Sequence, residues 1–169
     1  MKTDLIIHHL ESNRLVFHSL LEGKDPDEYN FRPDKNSWTI LEILCHLYDE
    51  EREDFRTRVK NTLTDPGKQP PPIDPPEWVK SRKYAEQDYR KKLESFQGER
   101  EESIKWLKSL RDPSWENTYT HPTAGVMTAY GLLANWLAHD YHHIRQINRR
   151  LYEYLKKKSG VSLVYAGDW

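Results

Sequence analysis

The sequence predicts an all-α protein that folds as a four-helix bundle, and three observations point to this class. Apolar residues recur every three to four positions in four long stretches, which is the spacing of amphipathic helices. The 169 residues include only seven glycines and a modest share of β-branched aliphatic residues, which disfavours an all-β fold. A long proline-rich connection follows the second stretch, and this length suits a crossover between parallel helices better than a tight hairpin. The whole chain, 1–169, is long enough for one domain with a sizeable core.

The first helix is predicted over about 3–22. Thr3 or Asp4 is expected to cap its start, and Gly23 is expected to end it. The residues that mark its apolar stripe are Ile6, Leu10, Phe17 and Leu20. A polar loop with two prolines then leads to the second helix.

The second helix is predicted to begin near 37–39 and to end near Leu63. Thr39 and Glu42 have the spacing of a capping box, in which each residue bonds the backbone of the other. Its buried side is marked by Ile40, Ile43, Leu44, Leu47, Phe55 and Val59. The connection 64–78 contains two runs of consecutive prolines, which predict an extended and stiff segment rather than a helical one.

The third helix is predicted over about 84–110, and the fourth from about 127 to 157. The residues between them, 111–125, are predicted to be irregular. Arg100 lies in the middle of the apolar stripe of the third helix and would need a partner if buried. We expect a structural ion pair rather than a site for a substrate anion, and the candidate partners are Glu42, Asp49 and Glu50.

Charge and composition exclude several classes of function. The 26 basic and 27 acidic residues give a net charge of −1, so nothing in the charge favours a nucleic acid or an anionic membrane as partner. No stretch approaches about 18 uninterrupted apolar residues, and the first residues lack the apolar core of a signal peptide. The single cysteine, Cys45, excludes a disulfide within the chain. A cytoplasmic protein is therefore expected.

Two histidines of the fourth helix have the spacing of metal ligands. His139 and His143 lie roughly 40° apart around a helix, and Gln146 lies about 20° on the other side of His139. The three side chains therefore share one narrow face. An i, i+4 histidine pair commonly offers two imidazoles to one metal ion, although two hydrogen-bonded core histidines give the same pattern.

A third histidine, His46, lies among apolar residues of the second helix, and a bundle can bring it opposite this pair. Three neutral imidazoles leave one to three coordination positions open, which is typical of a catalytic centre rather than a closed structural one. Other metal patterns fit less well, because Asp140 stands where an HExxH motif has glutamate and no Glu-x-x-His pair occurs. Cys45 adjoins His46 but points about 100° away, as a buried apolar residue would.

The segments "SWTILEILCHLYDEEREDFRTRV" and "HPTAGVMTAYGLLANWLAHDYHHIRQINR" resemble the DinB/YfiT superfamily of metal-binding four-helix bundles. The similarity extends over nearly the whole chain. It implies an up-down-down-up bundle with one divalent metal ion, bound by one histidine of the second helix and two of the last. The matching residues here are His46, His139 and His143.

The resemblance also implies an activity. Some members of the superfamily resemble transferases of low-molecular-weight thiols such as bacillithiol, mycothiol or glutathione, and others are described as metal-dependent hydrolases. We expect transfer of a small thiol to an electrophilic substrate, with the metal lowering the pKa of the thiol. Hydrolysis by metal-activated water and a non-catalytic stress-response bundle are the alternatives. The resemblance also allows a homodimer.

Two further side chains are candidates for supporting roles at this centre. Gln146 can hydrogen-bond a ligand histidine or a water on the metal. Glu50, like its neighbour Asp49, falls near the face of His46 and can orient the imidazole or act as a base. Three imidazoles suit zinc or nickel, the expected ions, and also iron or cobalt. His142 and His121 are expected not to be ligands.

Overall fold

Four long helical segments dominate the structure, a computed structural model that describes residues 2–167. The ends of the predicted domain, residues 1 and 168–169, lie outside the described residues. The elements in chain order are α1 (Lys2–Leu21), α2 (Pro26–Tyr29), α3 (Ile40–Asp49), a π-helical turn (Glu50–Phe55), α4 (Arg56–Thr64), α5 (Pro75–Ser81), a 3₁₀ turn (Tyr84–Glu86), α6 (Tyr89–Ser109), β1 (Thr118–His121), β2 (Gly125–Thr128), α7 (Ala129–Ser159) and a second 3₁₀ turn (Val164–Ala166). Because α3, the π-helical turn and α4 are continuous, we call them together the second bundle helix.

Side-chain contacts show that α1 runs antiparallel to α6. The Tyr89 hydroxyl, at the start of α6, donates a hydrogen bond to the Leu21 carbonyl oxygen at the end of α1. Further along α6, Arg100 donates to the carbonyl oxygen of Leu10, which lies earlier in α1. The residue numbers thus rise along one helix as they fall along the other.

The second bundle helix runs antiparallel to α7 by the same reasoning. Arg150, late in α7, donates to the Trp38 carbonyl oxygen just before α3, whereas Trp136, early in α7, donates to Glu51. The remaining directions follow from two apolar clusters, each containing residues from all four bundle helices. One cluster includes Leu10, Val59, Ile104 and Leu133, and the other includes Phe17, Leu44, Phe96 and Ile147. Hence α1 is parallel to α7, the second helix is parallel to α6, and the predicted up-down-down-up four-helix bundle is confirmed.

A buried polar layer separates these two apolar clusters halfway along the bundle. Each bundle helix contributes one residue to it, and none of the four is more than 5% exposed: Asn13, Glu51, Arg100 and Asp140. Polar groups are costly to bury unless they are paired, so this layer demands specific contacts where the rest of the core demands only apolar packing.

The helix ends differ from the prediction at several points. The capping box of the second bundle helix is confirmed, with Thr39 and Glu42 each bonding the other's backbone N–H. The first helix already begins at Lys2, so neither Thr3 nor Asp4 caps it. Its end near Gly23 follows the prediction, because this glycine has the left-handed φ of 72° that stops a helix.

The third and fourth bundle helices both begin later than predicted, because a polar side chain caps each of them. Asp88 caps α6, so the third helix starts at Tyr89 rather than near 84. Thr128 caps α7, so the fourth helix starts at Ala129. Each cap accepts a hydrogen bond from a backbone N–H in the first helical turn, which that N–H otherwise lacks.

The prediction that 64–78 is wholly extended was wrong for its second proline pair. Pro75 and Pro76 form the first turn of α5, and the Asp74 side chain caps this helix by accepting from the Glu77 N–H at 3.1 Å. Proline suits this position because its φ is already helical and its missing N–H has no partner in the first turn. The connection joins the end of α4 to the start of α6, which are parallel.

The prediction that 111–125 is irregular was also wrong, because its second half begins an antiparallel hairpin. Strands β1 and β2 pair from Thr118 opposite Thr128 to His121 opposite Gly125. Tyr119 is buried in the apolar cluster that includes Leu10 and Val59, and its hydroxyl accepts a hydrogen bond from Arg58 at 2.9 Å. The hairpin therefore packs onto the second bundle helix and leads directly into α7.

None of the described helices combines the length and the apolar character that a bilayer crossing requires.

Candidate metal centre

The structure brings together the three predicted histidines from two antiparallel helices. His139 and His143 lie on neighbouring turns of α7, and His46 faces them from α3. The Nε2 atom of His139 lies 3.2 Å from that of His46 and 3.0 Å from that of His143. The ligand atoms of all three residues lie within 4.8 Å of one another.

These contacts cannot all be hydrogen bonds. An imidazole nitrogen carries either one proton or one lone pair, so His139 Nε2 can share a proton with only one of its two neighbours. The Nδ1 atom of His143 lies 2.7 Å from Gln146 Oε1, an acceptor, which places the His143 proton on Nδ1 and leaves a lone pair on Nε2. A cation at this point would satisfy the lone pair of His143 Nε2 together with the nitrogens that converge on it.

The spacing also fits a metal ion. Zinc–nitrogen bonds of about 2.0–2.1 Å at a tetrahedral angle place two ligand nitrogens about 3.3–3.4 Å apart. The two Nε2 contacts of His139, at 3.2 and 3.0 Å, are close to this separation. These two pairs of nitrogens need only a small expansion to share an ion.

Burial keeps the three imidazoles neutral. It lowers the pKa of His46 to about 3, with smaller effects from His143 and His142. Burial likewise lowers the pKa of His143 to about 4. The pKa of His139 lies well below its ordinary value, because of burial first and the two neighbouring histidines second. Neutral imidazoles are the form that binds metal.

Two buried polar atoms beside His46 have no hydrogen-bond partner among the described residues: its own Nδ1 and Oε1 of Glu50. They lie 4.0 Å apart, one helical turn from each other. Burial, and then Asp54, raise the pKa of Glu50 to about 8. The Glu50 carboxyl group therefore faces the Nδ1 edge of His46, the edge opposite the convergent Nε2 atoms.

The structure places several other candidates away from the centre. Asp49 instead accepts a hydrogen bond from the Tyr84 hydroxyl at 2.7 Å and pairs with Arg82. His142 is exposed on the outer side of α7, and His121 lies in the hairpin, where its Nδ1 accepts backbone N–H groups. Cys45 is fully buried, and burial raises the pKa of its thiol to about 12.

Arg100 is buried and paired as predicted, but its predicted partners were wrong. It binds Glu51 and Asp140 rather than Glu42, Asp49 or Glu50. Two of the rejected candidates have other partners, since Glu42 pairs with Arg32 and Asp49 with Arg82. Asp140 was considered only as a counterpart of the glutamate in an HExxH motif. Its helical spacing between Trp136 and His143 on the buried face of α7 is a signal in the sequence that this carboxylate is buried and needs a partner.

Aromatic rings enclose the histidines on both sides. The Trp38 ring lies 5.0 Å from that of His46, and the Phe55 ring lies 4.8 Å from that of His139. The π-helical turn before Phe55 contributes to this, because a wider i→i+5 turn rotates the following residues relative to an α-helix. Apolar rings therefore border the centre, and electrostatic interactions within it are strong because the local dielectric constant is low.

Comparison with known proteins agrees with this geometry. The sequence pattern of the DinB superfamily matches residues 9–147. The chain belongs to the DinB superfamily. A related protein, BH0277 of Halalkalibacterium halodurans, is 25% identical over 134 residues, which are 79% of this chain and 77% of BH0277. Its name provisionally describes a metal-dependent hydrolase.

A solved structure shares the fold of this DinB protein. YfiT from Bacillus subtilis superposes with a TM-score of 0.79 and 22% identity, covering 95% of this chain and 89% of YfiT. It is described, in equally provisional terms, as a metal-dependent hydrolase with an unusual four-helix bundle topology. The parallel pair formed by the second bundle helix and α6 gives this chain a topology that differs from a simple up-down-up-down bundle.

Proposed function

We propose that the protein is a metal-dependent enzyme whose centre is formed by His46, His139 and His143. The observation that carries the proposal is the convergence of three neutral Nε2 atoms at contacts that hydrogen bonding alone cannot satisfy. One divalent ion fits there, and three imidazoles suit zinc or nickel, with iron or cobalt also accepted.

Gln146 and Glu50 orient the rings from behind. Gln146 accepts the Nδ1 proton of His143 and so directs the Nε2 lone pair of that ring toward the centre. Glu50 stands 4.0 Å from His46 Nδ1 and has a free buried oxygen, so it is placed to accept the corresponding proton of His46. Neither side chain is a ligand.

The nucleophile of the reaction comes from outside the chain. Cys45 is fully buried and its Sγ donates to the Tyr84 carbonyl oxygen, so it does not reach the centre. A bound divalent ion supplies Lewis acidity, which lowers the pKa of a thiol or a water molecule that shares its coordination sphere.

We favour a small thiol as this nucleophile. Neither of the carboxylates nearest the centre is placed to act as a base on metal-bound water, because Glu50 faces the Nδ1 edge of His46 and Asp140 is bonded to Arg100. Activation of water is helped by such a base, whereas a thiol, with an ordinary pKa near 8.5, ionises more readily. The thiol sulfur bonds to the electrophilic atom of the substrate, the leaving group departs with its electron pair, and the thiol proton passes to solvent.

Hydrolysis is the second candidate, and the names of BH0277 and YfiT favour it. The substrate would then be attacked by water at the same centre. A non-catalytic role, with a metal closed off by protein ligands, is the third.

Cobalt substitution separates these functions. We expect purified, untagged protein to contain about one divalent ion per chain, and cobalt-loaded Cys45→Ala protein to gain a near-ultraviolet sulfur-to-cobalt band when bacillithiol or glutathione is added. The Cys45→Ala background ensures that the sulfur is external. Water exchange without any response to thiols would favour hydrolysis, and exchange of neither would make the site structural. Failure of the untagged protein to bind any divalent metal would refute the proposal.

A further inference from the structure

The candidate metal centre lies close to the buried polar layer along the axis of the bundle. Glu51 follows His46 by five residues in the second bundle helix, and Asp140 follows His139 directly in α7. The two helices that carry the histidines are therefore the two that carry the acidic residues of the layer. Arg100, which lies between these acidic residues, comes from α6, a helix that supplies no histidine to the centre.

Arg100 uses every one of its donors in this layer. Its Nε and Nη2 atoms each donate to Glu51 at 2.9 Å. Its Nη1 and Nη2 atoms each donate to Asp140 at 2.7 Å, and Nη1 also donates to the Leu10 carbonyl oxygen at 3.3 Å. These five contacts match the five N–H groups of a guanidinium and link all four bundle helices.

The two acidic residues are held by further contacts. Asn13 donates to Asp140 at 3.1 Å, and the Trp136 indole donates to Glu51 at 3.0 Å. Burial opposes the positive charge of Arg100, but Asp140 and Glu51 outweigh it and raise the pKa of the guanidinium. The layer is thus fully paired, and any axial shift of one helix breaks several charge-assisted bonds at once.

Apolar packing alone does not fix the axial positions of the helices as exactly as this hydrogen-bonded layer does. The clusters above and below the layer bring together leucine, isoleucine and phenylalanine side chains, which tolerate small displacements better than bidentate hydrogen bonds do. A slip of one residue moves a helix by about 1.5 Å. Metal–ligand distances tolerate about 0.2 Å, so the centre needs a register far more exact than packing of the core requires.

We propose that Arg100 is a positioning residue that sets the axial register of the second bundle helix against α7, and thereby the convergence of His46 with His139 and His143. The proposal rests on the proposed metal centre. Arg100 touches neither the metal position nor a substrate, and it acts through Glu51 and Asp140. A buried arginine that served stability alone would leave the geometry of the centre unchanged when it is replaced.

The test compares Arg100→Lys with Leu107→Ala. Lysine keeps the charge but lacks the planar fork that holds two carboxylates. Leu107 lies two turns further along α6, is buried in an apolar cluster and has an apolar side chain that makes no hydrogen bond to the layer. Cobalt affinity is measured by competition with a chromophoric chelator, and the visible ligand-field spectrum is recorded at saturating cobalt. We expect Arg100→Lys to lower cobalt affinity about tenfold or more and to change the saturated spectrum. We expect Leu107→Ala to change neither, although it lowers the melting temperature.

The outcomes are distinct from those of the proposed function. If the wild-type protein binds no cobalt, the metal centre itself fails. If the wild type binds cobalt and Arg100→Lys retains both its affinity and its spectrum, the positioning role is refuted. A weaker affinity with an unchanged spectrum would also refute it, since the affinity would then have fallen without any change in the geometry of the centre. Should Arg100→Lys not fold, Asp140→Asn removes one arm of the layer at constant side-chain size, and the same two measurements decide.

Discussion

In each imidazole of the centre, the hydrogen-bond partner of Nδ1 determines whether Nε2 carries a proton or a lone pair that can bind a metal ion. In His143 the Nδ1 proton is committed to Gln146, so the Nε2 lone pair is free. Burial opposes protonation of all three rings. The side chains are therefore prepared for a cation before one arrives, and part of the cost of ordering the ligands has been met by folding.

Alanine substitutions test which histidines bind the ion. We expect His46→Ala, His139→Ala and His143→Ala each to lose most of the metal, because two imidazoles bind far more weakly than three. His142→Ala is the matched control, since this side chain belongs to the same helix but is exposed. Metal content per chain, measured by plasma mass spectrometry after desalting, reports the result. Full metal content in His46→Ala would remove the second bundle helix from the site.

Helix capping determines where the second bundle helix, and hence His46, begins. Thr39 Oγ1 accepts the Glu42 N–H at 3.2 Å, and Glu42 Oε2 accepts the Thr39 N–H at 2.8 Å. We expect Thr39→Ala to lower the free energy of unfolding by about 1 kcal/mol, as N-cap removal usually does. Ser95→Ala, on the exposed side of α6, should cost less than half of this. If the two variants lose the same free energy of unfolding in urea denaturation, the N-cap hydrogen bond of Thr39 makes no particular contribution to stability.

The long helices and the pair of His139 and His143 were predictable because both depend on spacing within one segment, whereas His46 was matched to that pair through the resemblance to the DinB/YfiT superfamily. The apolar stripes defined the four bundle helices, and the i, i+4 spacing put His139 and His143 on one face. The start of α5 was readable too, since Asp74, two prolines and Glu77 form a helix-start pattern. The prediction missed it because proline was read only as a helix breaker.

Other features depend on contacts between distant segments, which spacing does not reveal. The position of Arg100 in an apolar stripe indicated a buried charge, but its partners lie 49 and 40 residues away along the chain. They were found only once the helices were aligned along their axes. The π-helical turn is a similar case, because it suits burial of Glu50, Glu51 and Phe55 together rather than any local propensity. The sequence gives only a weak local signal for the hairpin, namely the threonines before Pro122 and the glycine at position 125. In the structure Gly125 has a left-handed φ.

The stability of the complete bundle should depend on pH through the three histidines. Their pKa values are lower in the folded protein than in the unfolded chain, so unfolding takes up protons below about pH 6.5. The stabilisation is therefore present above pH 6.5 and is lost as pH falls toward the folded values, about 3 for His46 and 4 for His143. At pH 5 the loss is at most about 2 kcal/mol per histidine.

The contribution of Glu50 to stability changes with pH in the opposite direction to that of the histidines. Its pKa is raised to about 8 in the fold, so its contribution is present at low pH and is lost as pH rises above its ordinary value. We expect metal-free protein to lose stability steeply from pH 6.5 to 5, and Glu50→Gln to steepen this slope further. Urea denaturation at several pH values measures it, with His142→Ala as the control. A free energy of unfolding that does not change below pH 6.5 would show that the three imidazoles are not buried in their neutral form.

The antiparallel pairing of the second bundle helix with α7 also constrains when the protein can acquire its ion during biosynthesis. His46 and His139 are 93 residues apart along the chain. At about 5–20 residues per second, the ribosome needs roughly 5–20 s to add the segment between them. Throughout that interval the nascent chain presents only one of the three imidazoles at this centre, too few to retain an ion. Metal acquisition therefore follows synthesis of α7, when all three imidazoles of the centre are present in the chain.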